Sequence, residues 1–226
     1  MKFDNKIIGI SGVAGAGKDL FYTMLSRYVK CKRYALADKL KLEINPFCKK
    51  FYKIDLFNCN RKEKDSIRDL MVFHGKYKRD QTDGKYWTRE LTKIIKKDIK
   101  SKKIPKDHLI CITDIRYNKY DNDEIYWLKN ILGGSLVHVS QYEMKLLEGN
   151  SRKTRVFKSA ANSEEKREDP KLKASADHIV EWLKIEDKML EVEKKLECFV
   201  HEFIFTHHLD DYVIDKENYP PEGVSI

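Results

Sequence analysis

Apolar residues along this chain form short β-branched runs separated by longer stretches with helical spacing, a pattern that predicts alternating strands and helices. Residues 6–11, around Ile7-Ile8-Gly9-Ile10, are apolar without alternation, as expected of a central strand covered on both faces. A helix is predicted from Gly17 to about Lys30, with Leu20, Met24, Leu25 and Tyr28 on one face. Arg33-Tyr34-Ala35-Leu36 reads as the second strand. Asp38 then stands at a helix N-cap position before a helix running through Leu40, Ile44 and Phe47 toward Phe51. A polar turn at Asn58 to Asn60 precedes a helix with Ile67, Leu70 and Met71 on its stripe, ending near His74-Gly75. Another helix is predicted over Tyr86 to Ile99.

Leu109 to Thr113 reads as a buried strand closed by Asp114-Ile115-Arg116. A helix from Glu124 to Leu132, stopped by Gly133-Gly134, leads to a strand at Leu136 to Val139. From Glu143 to Lys173 the composition is too polar to build much core, which predicts a mobile surface segment. His178-Ile179-Val180 is the last predicted strand, and a helix of roughly Ile185 to Phe203 follows it. The tail after Asp210, with Pro220-Pro221, is expected to be loosely held. Such alternation implies an α/β fold, a parallel sheet with helices on both sides, whose ligands gather at the carboxyl ends of the strands. With 226 residues and no repeat or linker, one domain is expected.

The segment after the first strand, Gly12-Val13-Ala14-Gly15-Ala16-Gly17-Lys18-Asp19, has the spacing of a phosphate-binding loop in the strand-then-helix context that gives it meaning. Small residues let the backbone curl until several N–H groups point at one anion, and the following helix adds its positive end. Lys18 would set a compact charge against the outer phosphates of a nucleoside triphosphate. The next position usually carries Ser or Thr to touch Mg²⁺; here it is Asp19. A carboxylate can hold Mg²⁺ directly or through a coordinated water, and it can also serve as a first-turn cap.

Lys plus Arg number 45 and Asp plus Glu 36, a net charge of +9 that suits phosphate-bearing partners. Much of the excess is lysine scattered from Lys93 to Lys106, the pattern of a solvated helix face and loop, so no nucleic-acid partner is inferred. The five cysteines, an odd number without a C-x-x-C pair, predict reduced thiols and a cytoplasmic setting. No signal peptide or membrane-spanning apolar stretch is expected, and the seven histidines lack metal-ligand spacing.

Three further landmarks follow the loop in order. They are Tyr34-Ala35-Leu36-Ala37-Asp38-Lys39-Leu40-Lys41, then Arg61-Lys62-Glu63-Lys64 through Arg68-Asp69-Leu70 to Gly75-Lys76-Tyr77-Lys78-Arg79, then Ile112-Thr113-Asp114-Ile115-Arg116. With the Gly-Lys-Asp loop they resemble the deoxynucleoside monophosphate kinases of large tailed bacteriophages, within the P-loop nucleoside monophosphate kinase group. The resemblance covers approximately residues 6–183 and includes Ala174 to Val180 as the closing strand. It implies a three-layer α/β/α P-loop kinase over residues 1–207, with an acceptor-binding insertion at about 38–100, a lid at about 143–175 and a tail at 208–226. It also implies transfer of the γ-phosphoryl group of ATP to a deoxynucleoside 5′-monophosphate, with Mg²⁺, in the cytoplasm of a host cell.

Carried over residue by residue, Gly12 to Lys18 resemble the ATP phosphate clamp, and Asp19 and Asp114 the carboxylates that organise the metal. Asp114 and Arg116 match an Asp-x-Arg at a strand end, where a carboxylate and a guanidinium two residues on point the same way; a structural ion pair is the other reading. Arg68 and Arg79 resemble the cations that receive the acceptor phosphate, assisted by Lys64, since a planar fork binds two oxygens at once. Asp38 and Lys41 lie where the acceptor nucleoside should sit, and Asp38 could cap a helix as well. Trp87, with Tyr86, could stack on a base or pack in the core. Arg152, Arg155 and Arg167 fall in the lid, with Arg155 first choice for stabilising the transferring group and Arg152 for the donor.

One departure matters: the acidic residue expected four positions after the Arg of Asp-x-Arg is Tyr120, with Asp121, Asp123 and Glu124 beyond it. Asp121 and Glu124 are the candidates to replace it. Two rivals stand beside this reading. Animal-type phosphomevalonate kinase shares the Gly-Lys-Asp loop but phosphorylates a small acid, and a nucleotide-binding regulatory protein would keep the loop without turnover. Ile185, Met189, Val192, Leu196 and Phe199 recur at helical spacing, so the last helix packs on the sheet or against a second copy in a homodimer.

Overall fold

The computed structural model describes residues 3–146, 153–184, 189–217 and 219, with backbone alone for 189–193 and 195. Its centre is a six-stranded sheet. In chain order the strands are β1 (Ile7–Ser11), β2 (Cys31–Tyr34), β3 (Leu109–Ile115), β4 (Ser135–Leu146), β5 (Lys153–Phe157) and β6 (His178–Leu183). β2, β3, β1, β4 and β6 run parallel in that spatial order, and β5 joins the far end of β4 antiparallel, pairing Tyr142 with Phe157.

Alternate residues of the parallel strands feed two cores, as the period of two demands. On one face Ile8, Ile10, Cys111 and Val139 pack against α1 (Lys18–Tyr28) and α8 (Met189–Thr206) through Phe21, Met24, Val200 and Phe203. On the other face Ile7, Ile110, Ile112 and Leu136 meet α2 (Leu36–Phe47), α5 (Lys85–Lys100) and α7 (Ser163–Ala174) through Leu36, Leu91, Ile95 and Leu172. The expected three-layer α/β/α arrangement around a mostly parallel sheet is therefore present. Between α2 and α5 lie α3 (Arg61–Ser66) and α4 (Arg68–Asp80), over a small cluster of Ile44, Cys48, Leu56 and Ile67. α6 (Glu124–Tyr126) continues into a π-helical stretch, Trp127–Ile131.

Several boundaries differ from expectation for physical reasons. Phe21 joins Met24 and Leu25 as fully buried on α1, with Leu20 and Tyr28 packed partly against the same core. The second strand begins and ends two residues earlier, and Leu36 already belongs to α2. Gly75 does not end α4: a Cβ there would lie 2.9 Å from Leu40 Cδ1, so the glycine lets α4 cross close to α2. β4 runs seven residues past Val139, where an edge ribbon with little core contact leaves no apolar signal. The segment expected to be mobile contains α7. Asn162 caps it by accepting from Glu165 N (2.8 Å), and fully buried Glu168 accepts from Arg167, Lys171 and Asn118 N. Ionic anchoring replaced the apolar stripe.

The tail expectation is corrected for its first residues, up to Ile214, while Pro220-Pro221 lies outside the described residues. Leu209, Tyr212 and Val213 are buried, and the chain crosses antiparallel to Val29, with Lys30 N donating to Tyr212 O (2.8 Å) and Ile214 N to Tyr28 O (2.9 Å). α8 turns Val200 and Phe203 toward the sheet, and of the expected stripe Leu196 is buried there and Phe199 packs partly against the same core; Ile185 and the side chains of Met189 and Val192 lie outside the described residues. Among the described residues no helix is long and apolar enough to cross a membrane.

Candidate active site

The loop from Gly12 to Gly17 leaves β1 and feeds α1 at the carboxyl end of the parallel strands. Two of its glycines are required by contact. A Cβ on Gly12, at φ +133°, would stand 2.2 Å from Val139 O, and one on Gly17, at φ +95°, would stand 1.7 Å from the Trp182 ring. Trp182, from β6, also donates its indole N–H to Ala16 O at 2.8 Å. It braces the loop from below, a role with no local signal in the sequence.

Lys18 folds back over the loop, its Nζ donating to Gly12 O (2.6 Å) and Val13 O (2.9 Å). Burial, then the nearby Arg116 guanidinium, lowers the Lys18 ammonium to about 8. Asp19 is exposed on the first turn of α1 and lines the adjacent cavity. Glu165, from α7, lies at the same place: its Oε2 accepts from Ala14 N (3.3 Å) and Ala161 N (3.0 Å), and its Oε1 stands 3.8 Å from Arg116 Nη1. An internal carboxylate thus contacts a phosphate-loop amide, consistent with the positive character of such a nest.

Asp114, at the end of β3, is buried with both oxygens engaged, accepting from Leu36 N (2.7 Å) and Ala37 N (2.8 Å). It is the remote cap of α2. Asp38, expected to cap, instead lies inside the first turn after the cap residue Ala35, where it pairs with Arg33 (3.2 Å) and Lys41 (3.1 Å). Burial, the largest influence, raises the Asp114 carboxyl against Arg116 and the two amides. Mg²⁺ keeps most of its waters and needs only one or two carboxylates besides substrate phosphates. The donor set fits that demand through exposed Asp19, with Asp114 lining the same cavity while each of its oxygens accepts one amide N–H from α2. Among the described residues no group of three or more His, Cys, Asp or Glu gathers into a metal cage.

A cavity of about 300 Å³ opens beside the loop. Lys18, Asp19, Asp114 and half-exposed Arg116 form one wall; Asp38, Lys41, Lys64, Arg68 and Lys76 form the other. Leu40, Met71 and Trp87 supply apolar surface between them. A larger hollow, about 790 Å³, lies at the opposite end of the sheet around Phe3, Ile99 and Ile104, away from the phosphate loop.

Within this cavity the expected acceptor residues part company. Arg68 is exposed and, among the described residues, pairs only with Asp65 beside it. Arg79 is consumed: 7% exposed, it donates to Asp123 (2.7 and 2.9 Å) and Glu124 (2.8 Å) and lies over the Tyr117 ring. It is a structural hub, which corrects its expected role. Glu124 closes the hub by accepting from Arg116 N (2.6 Å) and Tyr117 N (3.0 Å), so it holds the Asp-x-Arg strand end from eight residues on. Asp121 takes no such place. Burial pushes the Glu124 carboxyl up to about 7, against the pull of Arg79. Trp87 is buried, donating its indole N–H to Gly75 O (3.1 Å), so packing is its principal role, with one edge reaching the cavity.

The described lid arginines, Arg155 and Arg167, pair away from the loop. Arg155, on β5, pairs with Glu181 (3.3 Å) over the Tyr142 ring, Arg167 turns to Glu168 (2.7 Å), and Arg152 lies outside the described residues. α7 instead offers acids. Beside Glu165, Glu164 accepts from Tyr117 Oη (3.4 Å) and approaches Lys76 Nζ (3.8 Å), so one helical turn touches both walls.

No protein-family model matches the chain, and no curated protein matches it. Among solved structures, dephospho-CoA kinase from Campylobacter jejuni is similar over 92% of this chain and 100% of its own, with a TM-score of 0.45 and 14% identity. A likeness at that level bears on neither substrate nor reaction.

Proposed function

We propose that this protein is a phosphotransferase that moves the γ-phosphoryl group of ATP to a deoxynucleoside 5′-monophosphate. The observation that supports it most is the two-walled cavity, with a phosphate loop and Lys18 on one side and Lys41, Lys64 and Arg68 on the other. A single cationic wall would suit a binding protein. Two facing walls suit a donor polyphosphate and a second, smaller phosphate ester brought together, which removes much of the entropic barrier to transfer.

In this reading the loop amides and Lys18 hold the donor phosphates, and Arg116 faces the transferring group from the strand end that Glu124 fixes. Arg68 and Lys64 receive the acceptor phosphate; Asp38 and Lys41, paired at 3.1 Å, line the acceptor's side of the cavity. Mg²⁺, when bound, offsets charge on the donor oxygens, and Asp19 is the carboxylate placed to hold it. The apolar surface of Leu40, Met71 and the Trp87 edge favours a base over the small polar acid of a phosphomevalonate-type acceptor.

A coupled assay for ADP against a panel of deoxynucleoside and ribonucleoside monophosphates, with phosphomevalonate included, tests the proposal. Turnover with deoxynucleotides supports it. Turnover only with phosphomevalonate, or ATP binding without turnover, contradicts it.

A further inference from the structure

The connection between β5 and α7 brings one cation to the phosphate loop, and it is not an arginine. Lys158 follows β5 directly, and its backbone N–H donates to Gln141 O at 2.8 Å, continuing the tie to β4. From there its side chain reaches over Gly15. A Cβ built on that glycine would stand 2.8 Å from Lys158 Cε and 3.2 Å from its Nζ. The absent side chain of Gly15 is therefore the space that the lysine stem occupies. Arg155, two residues into β5, is drawn the other way by Glu181 and Tyr142.

Three further features give this placement meaning. Among the described residues no carboxylate pairs with the Lys158 ammonium. Lys18 and Arg116 already concentrate positive charge at the loop, and a third cation there gains nothing without an anion to share. Glu165, meanwhile, contacts Ala14 N, so the loop accepts an anionic group on the side from which α7 approaches.

We infer that Lys158, rather than Arg155, is the cation from the β5–α7 connection that grips the donor polyphosphate over the loop. The inference rests on the proposed use of ATP as donor. Its ammonium acts as a point charge against phosphate oxygens already held from beneath by the loop amides, so the donor is held from both faces.

Equilibrium titration of the full chain with ATP and with adenosine, for the wild type, Lys158→Ala, Lys158→Arg and Arg155→Ala, tests it. Lys158→Ala should bind ATP about tenfold more weakly, the loss expected for one hydrogen bond to a charged group, and bind adenosine as the wild type does. Lys158→Arg should recover most of that loss, and Arg155→Ala should bind ATP like the wild type. Unchanged ATP affinity in Lys158→Ala, an equal loss for adenosine, or a comparable loss in Arg155→Ala overturns the inference while leaving the donor reading in place. A wild type that does not bind ATP overturns both.

Discussion

The two walls of the cavity are built differently. The phosphate loop rests on the larger core, where Ile8, Ile10, Phe21 and Trp182 are buried together, and the loop's own turns close against Val139 and Trp182. The facing wall, α2 to α4, reaches the second core at Leu36 and Leu40, rests beyond that on four buried residues, Ile44, Cys48, Leu56 and Ile67, and is tied to the rest through ion pairs at Arg79 and Lys76. It also exposes Phe51, Phe73 and Tyr77. Deep apolar burial fixes the proposed donor side, whereas the proposed acceptor side combines a narrower apolar footing with a few charged contacts. The first arrangement preorganises charge, and the second leaves a wall that can close on a substrate at little cost in core contacts.

The sharpest way to break this comparison is at the ionic hub. Arg79→Ala leaves Asp123 and Glu124 buried without their cation and should cost about 3–5 kcal/mol of stability, read from urea unfolding. Arg68→Ala, on the same helix but exposed, should stay within about 0.5 kcal/mol and instead raise KM for the monophosphate. Equal effects on stability would erase the distinction between the two arginines.

On the donor side the Lys18 ammonium, lowered to about 8 by burial and Arg116, gives a pH signature. Phosphate favours its charged form, so ATP affinity should fall by up to about tenfold per pH unit above that value, with proton uptake visible by calorimetry in two buffers. For the free protein the sign is opposite. The unfolded chain, near 10.5, binds more protons than the folded one between about 8 and 10.5, so the Lys18 contribution to stability rises with pH across that window. Lys18→Met should remove both trends.

The smallest effect concerns the bridge between the walls. Glu165→Gln weakens the internal anion at Ala14 N and should tighten ATP binding about fivefold, measured by titration, because less free energy is spent displacing it. Weaker ATP binding in that variant would mean that Glu165 supports the loop rather than competing for it.

The unequal construction of the walls also explains what could be read in advance. The phosphate loop is a local device, so Gly12, Gly17 and Lys18 declare it by spacing, and the alternating strands announce the layered sheet. Contacts between distant segments declare nothing. Arg79 resembles a substrate cation until Asp123 and Glu124, more than forty residues on, are seen to hold it. Asp38 occupies a cap position by sequence, yet Asp114 caps the helix from another strand. α7 was hidden because its anchor is the buried Glu168 network rather than an apolar stripe. Trp182 and Lys158 reach the loop only through the pairing of β4 with β6 and the tie to β5.

Incubating the protein with γ-labelled ATP, Mg²⁺ and a panel of deoxynucleoside monophosphates, and resolving the products, tests the central claim most directly. The account predicts label in a nucleoside diphosphate with the wild type and a loss of about a thousandfold or more in Lys18→Ala. Label that remains in ATP, or that leaves only as inorganic phosphate, contradicts it.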